Sequence, residues 1–187
     1  MEITISSLYA TDPETFWNEV FFDTNYNRRL YEDILEYDDF RLVRLHTCEQ
    51  GYTHREIHVR MNVEAPGFIS KVLHQMVFIE NGKFDPAKQK WNYTLVPSVA
   101  KDRVKISGDS WLSDEGNGTI EHFVRFNVQV KAPGIGRMVE KFIVNQIVES
   151  HHRAHHFTKK HIENMQVDKS SEFASQVSES SKIRLTT

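Results

Sequence analysis

Residues 120–131 constrain the fold more than any other stretch, because a long alternating segment there is followed at once by a helical one. Ile120, His122, Val124, Phe126, Val128 and Val130 fall on one side of an extended backbone. Glu121, Phe123, Arg125, Asn127, Gln129 and Lys131 fall on the other. A period of two is the mark of a half-buried antiparallel strand. Asp114-Glu115-Gly116-Asn117-Gly118 precedes it and predicts a hairpin, since glycine and asparagine tolerate positive φ. Ala132-Pro133-Gly134 ends the strand, and the spacing then predicts a helix over roughly 135–165. Its apolar positions (Ile135, Val139, Phe142, Ile143, Ile147, Ala154 and Phe157) hold mainly to one side. A one-sided sheet and a one-sided helix of this length must cover each other.

The rest of the chain supplies more strands and two short helices. Residues 2–9 are short and β-branched and suggest an opening strand. Thr11-Asp12-Pro13-Glu14 predicts a helix start, with Thr11 as the cap and Glu14 completing a capping box. Phe16, Trp17, Val20 and Phe21 follow at helical spacing, and a second helix is expected from about 26 to 35. Strands are expected at 40–45, 55–61, 76–79, 90–96 and 103–112, with a turn at Asn81-Gly82 and a short helix over 68–74. After Met165 the composition shifts to Ser, Glu, Lys and Gln, which predicts one domain over 1–166 and a flexible Ser-rich tail over 167–187. The expected class is α+β, a single antiparallel sheet of about six or seven strands with helices on one face.

Charge and cysteine content narrow the function classes. The 187 residues carry 23 Lys+Arg and 26 Asp+Glu, a net of −3, without the concentrated basic face of a nucleic-acid binder. Cys48 stands alone, so an intramolecular disulfide framework is excluded. The opening Met-Glu-Ile-Thr-Ile-Ser-Ser has neither a basic start nor a long apolar run, and no stretch approaches the ~20 apolar residues that span a bilayer. Together these give a soluble, cytoplasmic protein as the expectation.

The order of strand, two short helices, a run of strands and a long closing helix resembles the START-like, or helix-grip (SRPBCC), superfamily over about residues 2–165. Tyr26-Asn27-Arg28-Arg29-Leu30-Tyr31-Glu32, Pro97-Ser98-Val99 with Asp102-Arg103-Val104, and Gly134-Ile135-Gly136 are similar to an uncharacterised START-like family. The resemblance implies a curved sheet gripping the long helix, with a cavity between them for lipids, sterols, polyketides or other apolar molecules. Relatives of this fold include carriers, cyclases and hydrolases, so the fold leaves the chemistry open.

In such a fold one strand face and one helix face line the cavity. The expected ligand-binding residues are Trp91 and Tyr93 on one strand, His122, Val124 and Phe126 on another, and Met138 and Phe142 on the helix. Each of them also suits a filled core. His122 interrupts an apolar face, where a buried imidazole needs hydrogen bonds and anchors a ligand hydroxyl, acts as an acid–base group or is satisfied by a neighbour. Arg44 and Arg55 interrupt their strands similarly.

The run His151-His152-Arg153-Ala154-His155-His156 contains two i, i+4 histidine pairs. The glutamate of a His-Glu-x-x-His metal site is missing, so no metal is expected and the run reads as a solvated face. Below about pH 6.5 its charge would favour transient contact with an anionic membrane. Gly134-Ile135-Gly136 has Val139 where a dinucleotide motif has its third glycine, so no nucleotide cofactor is expected. The function these readings favour is a carrier or sensor of a hydrophobic or amphipathic small molecule. The alternatives are a cyclase- or hydrolase-type enzyme using His122 and Tyr93, and a ligand-free protein-interaction module.

Overall fold

The computed structural model describes residues 1–61, 67, 77–98 and 102–182, with side chains through Asp168. The short helix expected over 68–74 lies outside the described residues. Seven strands form one antiparallel sheet: β1 (Glu2–Tyr9), β2 (Asp39–Thr47), β3 (Thr53–Arg60), β4 (Val77–Asp85), β5 (Lys90–Pro97), β6 (Val104–Gly116) and β7 (Thr119–Val130). Their spatial order is β1-β7-β6-β5-β4-β3-β2, a meander whose last strand takes the first strand as its outer neighbour. The long helix α3 (Gly136–Lys182) packs across the concave face, so the architecture is the helix-grip α+β arrangement. It continues through residue 182, into the segment whose composition reads as a tail. Among the described residues no helix is long and apolar enough to cross a membrane.

Two apolar clusters fill the ends of the space between sheet and helix. One gathers Phe40, Ile57, Val59, Val104 and Val128 from the sheet around Val139, Ile143 and Val144 of α3. The other gathers Tyr9, Phe16, Trp17, Trp91 and Ile120 against Ile162. The alternation of β7 is realised as its pattern requires: Ile120 and Val128 are fully buried, and Gln129 faces out. Gly116, Asn117 and Gly118 all take positive φ in the β6–β7 hairpin.

The two short helices connect β1 to β2 and lie over one end of the concave face. α1 (Pro13–Thr15) passes without a break into a π-helical turn over Phe16–Phe21. Its cap is Asp12, not Thr11. The Asp12 carboxylate accepts from the Thr15 amide at 2.9 Å and from the Thr15 hydroxyl at 2.7 Å, while Thr11 is buried. α2 (Thr24–Arg29), capped by Asp23, likewise widens into a π-helical turn over Leu30–Ile34. Bonds from the Phe22 amide to Trp17 O and from the Leu35 amide to Leu30 O close these wide turns.

The turn expected at Asn81-Gly82 is a second correction. Both residues lie inside β4, and the reversal comes later, around Gln89 at φ +49°. Gly82 has no side chain for a packing reason, not a turning one. A Cβ there would sit 1.8 Å from the indole of Trp91 on the adjacent strand.

Candidate functional site

A cavity of about 290 Å³ lies between the concave sheet face, α3 and the two short helices. Its floor comes from residues that alternation directs inward. Trp91 and Tyr93 are successive inward residues of β5, and His122, Val124 and Phe126 are successive inward residues of β7. Phe142, Ile143 and Ile147 of α3 form the opposite wall, and Phe16, Phe21 and Leu30 close one end. Every residue expected to line the cavity does so except Met138, which is 54 % exposed on the outer side of α3. Val139 and Ile143 mark the inward stripe, and Met138 falls a third of a turn off it.

Two glycines shape the floor. Tyr93 is flanked in register by Gly82 on β4 and Gly108 on β6. A Cβ on Gly108 would fall 2.1 Å from the Arg125 carbonyl oxygen and 2.6 Å from the Tyr93 hydroxyl. Because both neighbours lack side chains, the two rings of β5 lie down across adjacent strands. Burial raises the Tyr93 phenol well above its ordinary value, and the Glu80 charge adds to that.

One polar group of the wall is an ion pair. Arg55 on β3 donates through Nη2 to Glu80 Oε1 of β4 at 2.7 Å, and both side chains are almost wholly buried. Nη1 donates to the Phe21 carbonyl at 2.8 Å, which docks the first short helix on the sheet. The guanidinium lies over the rings of Phe21 at 4.5 Å and Trp91 at 4.9 Å. Its Nε–H is buried without a partner. Arg55 departs from the β3 pattern in the sequence, but nothing local in the sequence pairs it with Glu80, 25 residues away.

The second polar group centres on His122. Its Nε2 shares a 2.6 Å hydrogen bond with Ser110 Oγ, a diagonal neighbour on β6, and its ring packs 4.8 Å from that of Phe16. Beside it, Ser7 Oγ on β1 shares a 3.0 Å bond with His151 Nε2 of α3. Tyr26 donates to Thr158 Oγ1 at 2.5 Å, since Thr158 itself donates to the Ala154 carbonyl at 2.7 Å. Burial pushes the His122 imidazole down from 6.5 to about 3, and burial followed by the neighbouring His155 and His152 pushes His151 to about 4. Both rings are neutral at pH 7.

The histidine run therefore does not form one solvated face. His151 and His155 line the cavity, the latter 5.3 Å from the Tyr9 ring, while His152 and His156 are exposed. The i, i+4 relation of His151 and His155 was the available signal, since it places both on the stripe that holds Ile147, Ala154 and Thr158. No cluster of His, Cys, Asp and Glu with metal-binding geometry occurs among the described residues.

Neutral burial of His122 has a measurable consequence. Below its ordinary 6.5 the unfolded chain takes up a proton that the native state refuses down to about pH 3. Stability therefore falls as pH falls through that window. Between pH 7 and pH 5 His122 alone accounts for about 2 kcal/mol. Urea unfolding at both pH values should show His122→Asn losing less stability than the native chain by that amount; equal losses would mean the imidazole is solvated.

Solved structures with the same fold are distant in sequence. A START superfamily protein from Mycobacterium smegmatis is 17% identical over 88% of this chain and 98% of its own, with a TM-score of 0.57. The Zhui aromatase/cyclase from Streptomyces sp. R1128 is 14% identical over 87% of this chain and 93% of its own, at 0.60. A point mutant of norcoclaurine synthase from Thalictrum flavum, in complex with a transition-state analogue, is 14% identical over 89% and 96%, at 0.61. At these identities the likeness establishes the START-like fold and nothing further. No curated protein matches the chain. The family described as "Protein of unknown function (DUF2505)" matches residues 4–162, most of the chain and all of the cavity-bearing fold, and this protein belongs to it.

Proposed function

We propose that this protein binds a hydrophobic small molecule, as carrier or sensor, in the cavity between sheet and α3. The cavity itself carries the reading. It sits near the lower end of the ~300–1,000 Å³ of ordinary small-ligand sites and is walled mainly by aromatic and aliphatic side chains, with few polar groups. Burying a ligand's apolar body there contributes about 25 cal/mol per Å² removed from water. A ligand-free interaction module would have used the same residues to fill the core.

Two fold neighbours bear enzyme names, an aromatase/cyclase and a norcoclaurine synthase. In this chain the acid–base pair of an enzyme reading would be His122 and Tyr93. An imidazole held at about 3 is a weak base at neutral pH, and burial keeps the Tyr93 phenol protonated. Both groups suit hydrogen bonding to a bound molecule better than proton transfer, which favours binding.

Native mass spectrometry of the purified protein, followed by organic extraction, tests the proposal. The expected result is a stoichiometric adduct that extraction releases as an apolar molecule. Val124→Trp, which places an indole in the middle of the cavity floor, is expected to abolish the adduct while leaving a folded protein by circular dichroism. Apoprotein alone, with no thermal shift across a panel of lipids and aromatic compounds, would overturn it.

A further inference from the structure

The sheet side of the cavity carries two separate polar groups with a mainly apolar surface between them. One end is Arg55–Glu80 on β3 and β4; the other is Ser110, His122 and His151, where β6 and β7 meet α3, with Ser7 of β1 bonded to His151 behind the wall. His122 on β7 and Glu80 on β4 are three strand spacings apart, about 14 Å measured across the strands at ~4.8 Å per strand, and Glu80 lies level with Val128, so the two positions are also offset along the strand direction. Trp91, Tyr93, Val124 and Phe126 fill the interval.

Neither end carries net charge. Glu80 neutralises Arg55, and the opposite end is made of hydroxyls and imidazoles. A ligand carboxylate would thus enter a low-dielectric space with no unpaired cation to receive it, at a desolvation cost nothing offsets. A neutral oxygen meets a different situation. Two of the three donor positions of Arg55 are already engaged, by Phe21 O and Glu80, and its faces are covered by Phe21 and Trp91. Nε is the guanidinium nitrogen that makes no bond, and its buried N–H is unpartnered. At the far end His122 and His151, neutral rings each bonded to a serine, can exchange donor and acceptor roles with a ligand hydroxyl.

Resting on the binding reading above, we infer that the ligand is an uncharged, elongated molecule with an oxygen function at each end. One oxygen accepts from Arg55 Nε–H, and the other meets the Ser110–His122–His151 group. Fatty acids and other carboxylates are selected against.

A matched biphenyl series separates this inference from the binding reading. Calorimetric titration at pH 7 would compare biphenyl, 4-hydroxybiphenyl, 4,4′-dihydroxybiphenyl and 4′-hydroxybiphenyl-4-carboxylate. The diol is expected to bind about tenfold more tightly than the mono-ol, and the carboxylate at least about tenfold more weakly than the diol. The paired variant Arg55→Gln/Glu80→Gln, which leaves no buried charge unpaired, should remove the diol's advantage while mono-ol binding persists. Biphenyl binding as well as the diol, or the carboxylate equalling it, would overturn the inference and leave the binding reading standing. No binding by any member would overturn the inference too, while the binding reading stands or falls on the native mass spectrum.

Discussion

Glu80→Ala is expected to destabilise the protein by about 3–5 kcal/mol, among the largest effects of any single truncation in this chain. The side chains of Arg55 and Glu80 are 5% and 10% exposed, so removing the carboxylate strands a guanidinium in an aromatic box. That cation would keep one hydrogen bond, to the Phe21 carbonyl, and the faces of Phe21 and Trp91. Neither replaces a counter-charge in a space that water enters poorly. The cost is one of orphaning, not the net worth of the pair. Replacing both partners with apolar residues of similar volume, Arg55→Met/Glu80→Leu, should recover most of the stability. Urea unfolding curves of both variants check this, with unchanged slopes as the sign that compactness is unaltered. A cost for Glu80→Ala below about 1 kcal/mol would place the pair among solvated surface bridges and remove the basis for treating that end of the cavity as dry.

Gly82→Ala should be comparably damaging, at about 3 kcal/mol or more, although it adds a single methyl group. The added carbon would stand 1.8 Å from Trp91 Cζ2, inside the ring's van der Waals envelope. Trp91 is 1% exposed and wedged between Phe21 and Phe22, at ring-centroid distances of 5.5 and 5.7 Å, so it has nowhere to retreat. Relief must come from the partner. In a Trp91→Leu background, itself costly through the lost ring, Gly82→Ala is expected to add less than about 1 kcal/mol, a coupling of a size seen only between residues in contact. Thermal or urea unfolding of the four members of this cycle measures it. Additive losses would mean that the indole does not lie across Gly82, and the account of the cavity floor would fail with it.

The sequence alone determined the frame. Local periodicity is written into consecutive side chains, so the β7 alternation, the β6–β7 hairpin and the start of the long helix were legible from residues 114–147 without any knowledge of neighbours. The same alternation identified the inward residues of β5 and β7, which explains why Trp91, Tyr93, His122, Val124 and Phe126 meet on one floor. Met138 went astray for a reason of the same kind: one position on a helix rotates a side chain by 100°, and the edge of an apolar stripe is blurred in composition.

What the tertiary structure decided are matters that depend on pairs distant in sequence. Asn81-Gly82 carries the local signature of a turn, but the missing Cβ serves the Trp91 ring of the next strand, and no window around residue 82 contains that fact. Arg55 meets Glu80 across β3 and β4, His151 meets Ser7 between the two ends of the fold, and Tyr26 meets Thr158 over 132 residues. Side-chain polarity shows that each of these groups needs a partner when buried. Only strand order and helix docking determine which partner it finds, because hydrogen bonds of 3 Å or less are fixed by the placement of elements and not by the preferences of residues along the chain.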